Sequence, residues 1–216
     1  MKKALLWSTL TFGLLAGCNS PSATQEIKAK GIFREIAVEK QNETVKTLEG
    51  GDKKKKKAAA EAVLARPNEY NPPVLYALSR VLFQQGDKDT AAFWFYVAQL
   101  RGRYDANRCM DNTARQAVSI LNQEYGPKIN KYTFSDMPKL ERTMQAAVDF
   151  VRGNQEAYDP RWINLHGMWA VQAGLSGEEQ TKPLSQPEAK WPEIKKETIE
   201  DYQNDFIDYL KSRDED

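Results

Sequence analysis

Proline and glycine cut this sequence into stretches of helical period, and that punctuation constrains the fold more than any other feature. Pro72-Pro73 opens a segment that closes at Gly86, and within it Leu75, Leu78 and Leu82 recur at the spacing of one helix face. Lys88 to Leu100 follows, with Ala91, Phe95 and Ala98 aligned. A third helix is expected from Ala106 to Tyr125, carrying Ala114, Val118 and Leu121 and stopped by Gly126-Pro127. Ser135-Asp136 is placed to cap a helix through Val151, with Leu140, Met144, Ala147 and Val148 inward. Pro160 opens another to about Ala173, the stretch from Gly174 to Trp191 reads as a loop, and Pro192 opens the last. Ile199, Tyr202, Phe206 and Leu210 form its apolar stripe. Upstream, Ile27 to Leu48 shows helical spacing through Ile32, Ile36 and Val45, and Asp52 is placed to cap the helix that begins at Lys53. No segment alternates with a period of two, so the fold reads all-α.

The pair from Pro72 to Tyr104 resembles a tetratricopeptide repeat. Leu75, Leu78, Ser79 and Leu82 take the large, large, small and bulky sites of the first helix, and Gly86 the turn. Ala91, Phe95 and Ala98 take the small, aromatic and small sites of the second. Leucines replace the usual Trp and Tyr, and Arg103 stands where the terminal proline is common. The stretch Ala91 to Ala98, with Gly102 and Ala106, is similar to the related SEL-type repeat. Tyr70-Asn71-Pro72 recurs as Tyr158-Asp159-Pro160, 88 residues on, and Ala58, Ala59, Val63 and Gly86 match Ala146, Ala147, Val151 and Gly174 at the same offset. The expectation is an array of antiparallel helix pairs, a short TPR/SEL-like stack with a C-terminal capping helix.

The amino terminus sets the compartment. Met1-Lys2-Lys3 is basic, and Ala4 to Leu15 is almost wholly apolar but shorter than the roughly 20 residues of a spanning helix. These are marks of a secretory signal. Leu15-Ala16-Gly17-Cys18 resembles the lipobox of bacterial lipoproteins. That resemblance implies cleavage before Cys18 and acylation of the cysteine, palmitate included. With more than one acyl chain, attachment to the membrane is effectively permanent. Asn19, rather than Asp, follows the cysteine, which in such proteins points toward the outer membrane. The expected organisation is a signal peptide over 1–17, a flexible tether over 18–30, and an all-helical domain over 31–216. With Cys18 lipidated, Cys109 has no internal disulfide partner, and burial is its expected state.

Charge and chemistry exclude much. The 31 basic and 30 acidic residues nearly cancel, which gives no support to nucleic-acid binding. Lys53 to Lys57 reads as a solvated helix face, with attraction to anionic headgroups as the alternative. The single histidine, His166, has no second histidine to complete a typical zinc site, and no Gly-x-Ser-x-Gly elbow or phosphate-binding glycine pattern occurs. Neither an enzyme nor a cofactor is expected.

Binding to a protein partner remains. Phe93, Trp94, Phe95 and Tyr96 are consecutive on a helix and cannot share one face. Either neighbouring helices or a partner must take the remainder. Trp94, Tyr96, Arg101, Arg103 and Tyr104 are the candidate partner-binding residues, being of the types enriched at interaction hot spots. The expected function is an envelope interaction module or scaffold. The alternative is an immunity lipoprotein that neutralises a secreted antibacterial toxin.

Overall fold

A computed structural model describes residues 28–177 and 180–214. Cys18, the signal segment and the tether as far as residue 27 lie outside the described residues. The described chain is all-α. Its helices are α1 (Glu39–Gly50), α2 (Lys53–Ala65), α3 (Pro72–Gln85), α4 (Lys88–Arg108), α5 (Gln116–Thr133), α6 (Met137–Gly153), α7 (Met168–Ser176) and α8 (Trp191–Asp214). Short 3-10 turns at Gly31–Glu35, Pro67–Glu69, Asn112–Arg115, Pro160–His166 and Glu188–Lys190 connect them. The helices pack in antiparallel contacts, with α3 against α4 the most extensive.

Local chemistry starts the helices where the sequence suggests. Asp52 accepts from the backbone N–H of Lys54 and Lys55, Asn71 from Val74, Asp87 from Thr90 and Asp136 from Lys139. Gly86 closes α3 at φ +94°, a conformation that glycine adopts without strain.

α4 is the hub of the fold. It packs against α3, α5, α6 and α8 together. An array in which each unit touches only its neighbours would spread those contacts along its length. A helix with neighbours on several sides needs large apolar side chains on more than one face. The consecutive aromatics answer that need. Phe95 meets Tyr76 of α3 edge-on at 5.5 Å, while Phe93 and Trp94 meet Phe150 of α6 at 5.7 and 5.3 Å. Tyr96 reaches α5, its hydroxyl 2.9 Å from that of Thr133.

Several boundaries differ from the sequence reading. α4 continues past Leu100 to Arg108, because Gly102 brings it close to α5 instead of ending it; a Cβ there would lie 3.5 Å from Val118. The expected third helix is therefore split, its first residues on α4 and the rest on α5. Gly126-Pro127 does not stop α5, which runs on to Thr133. Gly126 has no Cβ to clash with the following proline ring, and the ring of Phe95 closes over it, 3.2 Å from where a Cβ would stand. Ile27 to Leu48 is a 3-10 turn followed by α1. Pro160 opens a 3-10 turn, and α7 begins only after Gly167. Gly174 thus lies inside α7, and Gly177, at φ +75°, ends it, so the punctuation of the two Tyr-Asx-Pro segments is not the same.

Asp111 explains the late start of α7. Its Oδ1 accepts from Thr113 N at 3.0 Å, capping the turn Asn112–Arg115, and its Oδ2 accepts from Trp169 N at 2.9 Å. Thr113 Oγ1 takes Met168 N at 2.8 Å. One carboxylate therefore caps two elements, and Gly167 permits the approach. A Cβ at Gly167 would collide with the Asp111 carboxylate and meet Ala114 Cβ at 3.2 Å. Asp111 is buried and held by its bonds, so it cannot swing aside cheaply. Gly167→Ala is expected to destabilise the protein by about 1–3 kcal/mol, in the range of other overpacked sites. A thermal melt followed by circular dichroism would show this as a fall of several degrees in Tm. An unchanged Tm would contradict the close approach.

Candidate functional site

The C-terminal half of α4 carries the chemistry. Arg101 and Asp105 lie on its inward face and are wholly buried, each at 0 % exposure. Asp105 Oδ2 accepts from Trp162 Nε1 at 2.6 Å and from Tyr158 Oη at 3.0 Å. Its Oδ1 accepts from Arg108 Nη2 at 2.6 Å and Nε at 3.2 Å. Burial pushes the Asp105 carboxyl above the usual carboxylate range, with the Arg108 guanidinium and the hydrogen bonds pulling it back. The same burial raises the Tyr158 hydroxyl well above its ordinary value, so it stays a neutral donor.

Arg101 joins two chain links that are far apart in sequence. Its guanidinium donates to Pro67 O at 3.2 Å and Asn68 Oδ1 at 2.5 Å, and Nε faces Glu156 Oε1 at 3.8 Å. Asn68 O in turn accepts from Ala157 N at 2.8 Å. Lys195 of α8 completes the group, 3.1 Å from Glu156 Oε1 and donating to Asn154 O at 2.9 Å.

Two openings flank this buried core. The first is a cleft of about 590 Å³ between α4, the 153–158 link and the start of α8. There the Arg108 guanidinium lies 4.1 Å from the Tyr104 ring centre and 4.6 Å from that of Trp191. Two of its cations, Arg108 and Lys195, already hold Asp105 and Glu156, while the third, Arg152, is half-exposed and pairs with Asp149. The second opening is a groove of about 460 Å³, with α4 as floor and α5 and α8 as walls. Arg103 lines it, donating to Asp205 Oδ2 at 2.7 Å with its guanidinium 4.9 Å from the Tyr202 ring. Asn107 donates to Thr198 across the α4–α8 seam at 2.8 Å. Asn122 accepts from Tyr76 Oη at 2.6 Å and Gln99 Nε2 at 3.1 Å, which holds its amide oxygen inward and leaves the donor end for the groove. Ser119, Asn204 and Arg115 stand exposed around the rim.

The five residues singled out from the sequence do not converge. Trp94, Tyr96 and Arg101 are buried and hold their own neighbours. Tyr104 is also buried but borders the cleft, and Arg103 borders the groove with 38 % of its side chain exposed. Cys109 is buried, with its thiol donating toward Asn164 Oδ1. His166 sets its ring edge-on to Trp162 at 5.6 Å. Among the described residues no group of three or more His, Cys, Asp or Glu side chains is placed to hold a metal ion, and no helix is long and apolar enough to cross a membrane. Sequence reasoning missed Asp105, Glu156, Tyr158, Trp162 and Lys195. The three-residue spacing of Asp105 and Arg108 on a helix was a readable signal for one pair. Nothing local marks Glu156 as the partner of Arg101.

Removing Asp105 strands the Arg108 charge and two buried donors. Asp105→Ala is expected to cost about 3–5 kcal/mol in denaturant unfolding, as breaking one side of a buried pair does. A loss under about 1 kcal/mol, the scale of an exposed pair, would contradict the network. Searches of protein-family models, curated proteins and solved structures found no match for this chain.

Proposed function

We propose that this chain is a lipid-anchored module of a bacterial envelope that holds a protein partner in the groove between α4, α5 and α8. The observation that carries the reading is the contrast between the two openings beside α4. The cleft at Tyr104 has Arg108 and Lys195 committed to Asp105 and Glu156, whereas the groove at Arg103 presents exposed polar side chains at its rim, Arg115, Ser119 and Asn204 among them. Protein interfaces are commonly polar and wet in this way, and an extended segment offers backbone donors and acceptors that amide side chains match. The lipobox-like Leu15-Ala16-Gly17-Cys18 supplies the anchor and the compartment, with the outer membrane favoured by Asn19. No catalytic step and no cofactor enter the reading.

The test is a pull-down of the tagged, detergent-solubilised lipoprotein from its own envelope, with wild type beside Arg103→Glu and Asn204→Trp. Asn204 is exposed, so Asn204→Trp is expected to stay within about 0.5 kcal/mol of wild type. Arg103→Glu loses its pair with Asp205 and its contact with Tyr202 and is expected to cost about 1 kcal/mol, which leaves the fold intact and is checked by a thermal melt of each variant. A stoichiometric partner that wild type retains and both variants lose is the expected result. A partner retained equally by all three would place binding elsewhere, and no partner at all would sink the reading. The partner's identity separates a scaffold from an immunity lipoprotein.

A further inference from the structure

α7 is short, and among the described residues nothing covers its outer face. Met168 is 53 % exposed and Leu175 65 %, and the two lie seven positions apart on one side of the helix. Trp169 sits half-buried beside them with Lys182 Nζ 5.5 Å from its ring centre. The opposite face is fully used, since Ala170 and Ala173 pack with Phe33, Ile36 and Leu184. Ala29 and Ile32 pack against the same cluster, and Lys30 Nζ stands 3.8 Å from where a Cβ on Gly177 would lie. The described chain therefore starts on α7. Lys28 is ten residues beyond Cys18, so an extended link spans at most about 35 Å and holds this end of the molecule near any lipid at Cys18.

We infer that the outer face of α7 is a membrane-docking surface, with Met168 and Leu175 entering the headgroup–acyl boundary of the bilayer that holds the anchor. The inference rests on the lipid-anchor reading. Large apolar side chains beside a tryptophan suit that boundary, where an amphipathic ring finds both apolar and wet surroundings. Lys28, Lys30 and Lys182 at the same end can reach phosphate groups. Docking there would fix the orientation of the body relative to the membrane, which the acyl chains by themselves leave free.

The experiment uses the full lipidated chain in vesicles of phosphatidylethanolamine and phosphatidylglycerol. A spin label is placed in turn at Met168→Cys, Leu175→Cys, Ile120→Cys and Lys54→Cys, and its immersion depth is read by relaxation against oxygen and a nickel chelate. Cys109 stays unlabelled because it is buried and its thiol is pushed up to about 11. All four positions are exposed, with Ile120 at 60 %, so labelling spares the fold. The expected result is immersion of roughly 5–10 Å at 168 and 175, with aqueous values at 120 and 54. Aqueous values at 168 and 175 in vesicle-bound protein overturn the docking surface and leave the anchor standing. Immersion at 54 instead assigns the membrane face to the lysine run and overturns the inference. Failure of the wild-type chain to float with vesicles overturns the anchor and this inference together.

Discussion

The fold depends on two charged side chains that α4 carries into the interior. Asp105 gathers Trp162, Tyr158 and Arg108, and Arg101 gathers the Pro67–Asn68 link and Glu156. Buried ions of this kind add little net stability, because desolvation consumes most of the Coulombic gain. Their effect is on arrangement. A purely apolar contact along α4 would tolerate sliding of the 154–166 segment, whereas a carboxylate with fixed donors admits one register. The segment after α6 has little regular structure of its own, and these bonds give it a defined course across α4 toward α7 and α8.

The same constraint separates structural from available chemistry near α4. Arg101, Arg103, Tyr104 and Arg108 lie within eight residues and look alike in sequence. Helical rotation sends Arg101 inward, Arg108 between Tyr104 and Trp191, and Arg103 to the solvent side against Asp205. Position on the helix, and not residue type, decides which can meet a partner. The proposed docking face on α7 belongs to the other end of the same scheme. Asp111 starts that helix, and the clustering of its inner alanines with Phe33 and Ile36 leaves Met168 and Leu175 outside.

Capping was legible because it is local. Asp52 and Asp136 stand directly before the helices they start, and their side chains need only reach two or three residues ahead. Stops were less legible. Pro127 is a breaker by its own chemistry, but Gly126 relieves the clash and Phe95, from another helix, packs onto the gap. The start of α7 is set by a carboxylate 58 positions away in sequence, which no window around Pro160 contains. Arg101 stands among the candidate partner-binding residues for the same reason. An arginine's charge is visible in the sequence, while a partner such as Glu156 becomes visible only when the chain has folded. Buried, paired charge is the class of interaction that periodicity cannot reveal.

α4's buried charges hold the 154–158 link and the start of α8 in place. Peptide-level hydrogen exchange on Arg101→Met tests it most directly, since that change removes the bonds to Pro67, Asn68 and Glu156 and keeps an apolar stem. Faster exchange is expected in the 66–70 link, in 154–158 and in the first turns of α8, while the centres of α3 and α5 keep their protection. Exchange unchanged in those segments, or raised equally across every helix, would contradict it.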